Sequence, residues 1–220
     1  MTLVFAGDPM CSWCYGFAKE LDAALEQLPP IPFQVRVAGL WADGRQLLDH
    51  EAKQFRLSHW SRVEAAAGVP FNRAALMARE RFYYNSEPIS RAFVAGLHLA
   101  PSVQALRLFR ALQRAFYVDG LDTTDELVLA RVLAKELVEQ GHPTAAGQAL
   151  DAMNLEAVHL QVRRDFAQVR SWRLASFPKL LLTGGTSAKV LLQGFANTPE
   201  IVDAVSSALP RRPADPGSHP

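Results

Sequence analysis

Apolar and polar positions follow several rhythms along this chain, and each rhythm predicts a different piece of architecture. Leu3-Val4-Phe5-Ala6 is a short apolar run closed by Gly7-Asp8-Pro9, which reads as a buried strand and its terminator. From Ser12 to Leu28 the pattern turns helical, with Phe17, Leu21, Ala24, Leu25 and Leu28 on one face. Pro29, Pro30 and Pro32 stop it. Phe33, Val35 and Val37 then alternate with Gln34 and Arg36, the period of a strand with one wet face. Strand, helix and strand in this order are most simply joined by a parallel crossover.

Residues 42–172 read as almost wholly helical. Val103, Leu106, Phe109, Leu112 and Phe116 recur every third or fourth position. Thr123 and Glu126 have capping-box spacing ahead of the apolar run Leu127 to Val138, and Gly141 and Pro143 supply its stop. Leu155, Val158, Val162, Phe166 and Val169 form another stripe, with Asn154 as its expected cap. Asn85-Ser86-Glu87-Pro88, followed by Arg91, reads as a cap with an early proline, and Phe82-Tyr83-Tyr84 before it as core. No period repeats, so this stretch is expected to be an irregular bundle. Strand signals return at Leu180 to Thr183 and Val190 to Leu192. They predict a hairpin around Gly184-Gly185 whose connection is a little longer than two residues. Thr198-Pro199-Glu200 starts a last helix, with proline as its first helical residue. The proline-rich end from Pro210 reads as a disordered tail. The prediction is an α/β chain: βαβ and ββα units at 1–41 and 173–209, a helical insertion at 42–172, and a tail at 210–220.

Composition narrows the function. The 220 residues are 49% hydrophobic and 20% charged, enough for a core that needs no disulfide or metal. Basic residues number 23 and acidic residues 22, a net charge of +1, which offers no general attraction to nucleic acid or anionic lipid. The longest charge-free apolar stretch, Ala92 to Leu106, is too short and too interrupted to cross a bilayer. The first basic residue is Lys19, so the start lacks the pattern of a secretory leader, and a cytoplasmic setting with reduced thiols is expected. Gly184-Gly185-Thr186-Ser187 lacks the ending of a phosphate loop, and no dinucleotide or G-x-S-x-G motif occurs.

There are only two cysteines, Cys11 and Cys14, which excludes a disulfide scaffold. The six histidines have no paired spacing, so no metal site is expected unless two chains share one. Cys11-Ser12-Trp13-Cys14 follows a strand and opens a helix. Free N–H groups and the positive end of the helix dipole there favour the thiolate of Cys11, the attacking species in disulfide exchange. Cys14, one turn further in, would be more buried and would resolve the mixed disulfide. The plainer alternative is a pair of small buried hydrophobes near a helix start.

Asp8-Pro9-Met10-Cys11-Ser12-Trp13-Cys14, followed by Gly16-Phe17, resembles the DsbA-like branch of the thioredoxin-fold thiol–disulfide oxidoreductases, specifically the cytoplasmic FrnE-type subgroup. The resemblance covers about residues 2–208. It implies a thioredoxin-like fold with a large all-helical insertion between the second and third core strands, Cys11 as nucleophile and Cys14 as resolving thiol. It also implies a cis-proline opening the third core strand, and Phe177-Pro178 before Lys179-Leu180-Leu181-Leu182 stands at that place. A proline there leaves the Phe177 backbone free to pair with an extended substrate; the alternative is an ordinary strand-opening proline.

Several residues depart from that pattern. Ser12-Trp13 replaces the Pro-His pair of the strongly oxidising periplasmic enzymes. Asp8 would oppose a thiolate if close, with capping of the turn as its expected role, and Lys179 would favour anionic substrates. Trp13, Phe177 and Ser12 are the expected substrate contacts. The implied activity is disulfide exchange or isomerisation without a bound cofactor, with glutathione as a candidate co-substrate. Its partners would be substrate proteins or small thiols and a recycling reductant or oxidant. Two rivals remain: a glutathione-dependent isomerase or transferase of the kappa-class or hydroxychromene-carboxylate isomerase type, and a non-catalytic peptide-binding module.

Overall fold

The computed structural model describes residues 1–45, 47–173, 176–184 and 187–210. Among them the first strand is β1 (Thr2–Gly7), followed by α1 (Ser12–Leu25) and β2 (Phe33–Val37). Seven helices come next: α2 (His50–Ala67), α3 (Arg73–Ala78), α4 (Glu87–Leu99), α5 (Ala105–Tyr117), α6 (Glu126–Glu139), α7 (Ala146–Met153) and α8 (Glu156–Ser171). The chain then forms β3 (Lys179–Gly184), β4 (Ser187–Gln193) and α9 (Thr198–Ala208).

The sheet runs β2-β1-β3-β4. β1 and β2 are parallel, as a strand–helix–strand crossover requires, and β3 lies antiparallel to both β1 and β4. Strand alternation divides the sheet into two faces. Leu3, Phe5, Val35, Val37 and Leu180 join the large core that contains α1 and the insertion. Val4, Ala6 and Leu181 face the other way, towards Val169 of α8. The face of β2 expected to be wet is not fully so: Arg36 pairs with the buried Asp165 of α8 at 2.8 Å, which pins that helix to the sheet. Phe5 lies 5.6 Å from Phe17 of α1 and 5.4 Å from Phe109 of α5, ring centre to ring centre, so the sheet and the insertion share one core. α9 is tied to α1 by Glu20, which accepts the Thr198 N–H at 3.0 Å and its hydroxyl at 2.7 Å.

The helix ends show where local pattern reading errs. Asp125, not Thr123, caps α6 by accepting the Leu127 and Val128 N–H groups; Thr123 is buried, and Glu126 is drawn instead to Arg91. Asn154 ends α7, donating to the Leu150 carbonyl at 3.0 Å, while Leu155 stands at the start of α8. Asn197 caps α9, so Pro199 is its second residue rather than its first. The hairpin strands run further than their apolar runs predict, leaving only residues 185 and 186 between them. Those two residues and the tail 211–220 lie outside the described residues.

Candidate active site

Cys11 occupies the residue position that caps α1, with an extended backbone (φ −89°, ψ 116°) and a side chain that does not itself cap the helix. The turn leading to it is built on Asp8, which is fully buried. The Asp8 carbonyl accepts the Cys11 N–H at 3.0 Å, and Oδ1 accepts the Met10 N–H at 2.8 Å. Oδ2 accepts the Leu40 N–H at 2.8 Å and the Ser86 hydroxyl at 2.6 Å. One carboxyl group therefore caps the cysteine turn, as its sequence position predicts, and also fastens it to the exit of β2 and the start of α4. Burial pushes Asp8 above the usual carboxylate range, although these hydrogen bonds oppose the shift. The exit of β2 is held close by Gly39 (φ 63°), where a Cβ would meet the Phe166 ring at 2.8 Å.

The two sulfurs sit in different surroundings. Cys11 is 8% exposed and Cys14 is 0% exposed; both are unbridged. Burial, and then the neighbouring Cys11 thiol, push Cys14 well above the ordinary thiol value, so it keeps its proton at neutral pH. Tyr84 donates its hydroxyl to the Met10 carbonyl at 2.5 Å, bracing the turn from the insertion side. Burial pushes Tyr84 up to about 12 and Tyr117 beside it well above the usual phenol value. Neither phenol can act as a base near neutrality.

The Phe177–Pro178 peptide bond is cis. Pro178 is buried, its carbonyl accepts the Gly194 N–H at 2.9 Å, and Phe177 is half-buried. No backbone hydrogen bond engages Phe177 among the described residues. Cys11, Ser12, Trp13 and Phe177 line a cavity of about 280 Å³, while Cys14 and Pro178 do not face it. Trp13 both packs and lines, its ring 5.9 Å from that of Phe195. Lys179 does not have the role its position suggests. It is 2% exposed and belongs to the sheet face turned towards α8, so it is not placed to meet an anionic substrate, and burial lowers its pKa.

Among the described residues no cluster of three or more His, Cys, Asp or Glu side chains could hold a metal ion, and no helix is long and apolar enough to cross a membrane. No family model matches the sequence, and no curated protein matches it. Solved structures do match. A protein from Nitrosomonas europaea, named provisionally as a protein disulfide isomerase, is 26% identical, with a TM-score of 0.78 over 94% of this chain and 96% of that one. The cytosolic disulfide reductase DsbM from Pseudomonas aeruginosa is 23% identical, with a TM-score of 0.71 over 87% of this chain and 89% of that one; it has also been solved with GSH. By fold this is a DsbA-like protein. A 2-hydroxychromene-2-carboxylate isomerase shares the same fold at 13% identity and a TM-score of 0.61, covering 94% of each chain.

In this DsbA-like protein the rest of the cavity wall comes from Met10, Leu40, Trp41 and Ser176 and, from the insertion, Phe55, Arg56, His59, Trp60 and Tyr84. Trp41, Phe55, Arg56, His59 and Tyr84 come from the segment after β2, from α2 and from the approach to α4. None was singled out as a site residue from the sequence. The expectation of core holds for Phe82 and Tyr84 but not for Tyr83, which is 47% exposed. At Asn85-Ser86, Asn85 performs the cap by accepting the Glu87 N–H at 2.9 Å, and Ser86 serves Asp8. Only the fold brings these side chains to the cysteines, and no local motif marks them.

Proposed function

We propose that this protein is a thiol–disulfide oxidoreductase of the FrnE type, working through Cys11 and Cys14. The observation that carries the reading is the asymmetry of the two thiols. Cys11 borders a cavity at the free N-terminal end of α1, whereas Cys14, one turn on, is sealed and holds its proton. In the reducing direction the Cys11 thiolate attacks one sulfur of a substrate disulfide, and the other sulfur leaves as a thiolate that takes up a proton. Cys14 then attacks the Cys11 sulfur, its proton passing to the substrate sulfur that leaves. The second substrate thiol is released, and the pair is left as a disulfide with two electrons passed to substrate. The reverse sequence oxidises a substrate dithiol, and incomplete cycles shuffle wrong disulfides.

Ser12, Trp13 and Phe177 are the proposed substrate contacts, and Pro178 holds the Phe177 backbone beside Cys11 for an extended segment to pair with. Substrate proteins or small thiols, a cytoplasmic setting, a separate recycling partner and glutathione as co-substrate belong to the same proposal. A second reading, a glutathione-dependent isomerase, is favoured by the fold likeness to the hydroxychromene-carboxylate isomerase. The second thiol at Cys14 has no task in that chemistry and argues for exchange.

Two linked measurements test the proposal. The Cys11–Cys14 pair is equilibrated against glutathione, and Cys14→Ser is used to trap mixed disulfides with protein or glutathione. A strongly negative potential assigns a reductase, and one near about −120 mV assigns an oxidant. A pair that does not exchange with glutathione, together with no trapped species, overturns the redox reading. Unchanged peptide binding by a Cys11→Ser, Cys14→Ser variant in that case leaves a binding module.

A further inference from the structure

The cavity beside Cys11 is walled mainly by apolar and aromatic side chains, and Arg56 is its permanent cation among the described residues. Among the described residues no acidic side chain lines it. Arg56 lies over the Tyr84 ring at 3.4 Å from its centre and over the Trp41 ring at 4.6 Å, so the guanidinium is held by two aromatic faces. Its nitrogens meet no hydrogen-bond acceptor or carboxylate among the described residues, and its Nε is buried without a partner. Arg36, Arg91 and Arg110, by contrast, each meet an acid. His59 adds no second charge: burial and the nearby Arg62 and Arg56 lower its pKa, favouring the neutral ring at pH 7. The cation is also tied to the reactive turn, because Tyr84, on which it rests, donates to the carbonyl of the residue before Cys11.

An oriented, charged and unpaired guanidinium in an apolar cavity is a ready hydrogen-bond donor for a carboxylate. We infer that Arg56 forms an anion subsite that selects small disulfides bearing a carboxylate a few bonds from the sulfur attacked by Cys11. This rests on the exchange chemistry proposed above and adds the class of substrate. The bonds made and broken are those already described, with the protein dithiol as the only reductant. The carboxylate sits on Arg56 while one substrate sulfur joins Cys11 and the other leaves.

The test compares three symmetrical disulfides of similar length: dithiodipropionate (a dianion), bis-hydroxyethyl disulfide (neutral) and cystamine (a dication). The reduced protein is mixed with each in a single turnover, the reaction is followed by the fluorescence of Trp13 and its neighbours, and each rate is divided by that of free dithiothreitol. The wild type is expected to favour the dianion over the neutral compound by about tenfold, with the dication slowest. High salt should shrink that preference. In Arg56→Gln the ratio of dianion to neutral should fall to about one, and Arg56→Lys should keep part of it. A wild type without charge preference overturns the subsite. So does an Arg56→Gln variant that slows all three disulfides equally, since that places the effect on the thiol rather than the substrate. If none of the three oxidises Cys11 and Cys14, the redox reading itself falls, and the subsite with it. The wild-type ratio and its salt dependence decide the matter even if a variant fails to fold.

Discussion

Asp8 concentrates more of the site's architecture in one side chain than any other residue of the turn, and replacing it should be costly in a calculable way. Its carboxyl group accepts from the Met10 N–H, the Leu40 N–H and the Ser86 hydroxyl, all from a fully buried position. In Asp8→Ala these donors lose their acceptor together. Each orphaned buried donor costs about 1–3 kcal/mol, less where the vacated space admits water, so a loss of about 3–5 kcal/mol is expected. That is a large share of the ~5–15 kcal/mol by which domains are stable. Asp8→Asn should cost less, about 1–2 kcal/mol, because its carbonyl oxygen can replace one carboxyl oxygen and Ser86 can turn to accept from its amide. One backbone N–H is still left facing a donor.

The pH dependence has a definite sign. Burial raises Asp8 above 3.8, so between 3.8 and that raised value the folded state binds a proton that the unfolded state has released. Stability from this group is therefore present at low pH and is lost as pH rises through the folded value. The wild type should gain on Asp8→Asn as pH falls from neutral towards 3.8. Urea unfolding of the reduced proteins across pH measures both quantities. An Asp8→Ala variant within about 0.5 kcal/mol of wild type, or a gap to Asp8→Asn that closes on acidification, would refute the account.

Two further outcomes follow from the packing around the cysteines. A Cβ on Gly16 would lie 2.9 Å from Ala67 Cβ and from Val63 Cγ1, so Gly16→Ala should force α1 and α2 apart. The helix-propensity gain of about 1 kcal/mol should not offset an overpacking cost of about 1–3 kcal/mol, and a thermal melt should show a Tm lower by a few degrees; an equal or higher Tm counts against the close approach. Because Cys14 is fully buried and its pKa is pushed well above the ordinary thiol value, it is a protonated thiol at neutral pH. Iodoacetamide at neutral pH should therefore label Cys11 alone in the native protein and both cysteines after denaturation, as read by peptide mass spectrometry. Equal native labelling would contradict the asymmetry on which the mechanism depends.

Local periodicity was a good guide where an element's own side chains decide its state. The strand Phe33–Val37 appears with the bounds its alternation predicts, and the stripe from Leu106 to Phe116 lies on α5, although Val103, which opened the predicted stripe, stands just before that helix. It failed at boundaries where a distant partner competes for the capping group. Thr123 loses the α6 cap to Asp125 while Glu126 turns to Arg91, and Ser86 gives its hydroxyl to a carboxylate 78 residues earlier in the chain. A capping pattern records only what neighbouring residues can do for each other.

The same division separates the chemistry from its surroundings. The spacing of Cys11 and Cys14, their place between a strand and a helix, and the proline before β3 were all legible in the sequence, because each depends on residues a turn or less away. Tertiary structure alone decided which residues share the cavity with Cys11. Arg56 and Tyr84 lie on separate segments of the insertion and reach the site only because the insertion and the sheet share one core. It also decided that Lys179, which follows Pro178 in sequence, belongs to the opposite face of the sheet. Spacing fixes what one helix turn or strand pair can present, and long-range packing determines what stands opposite it.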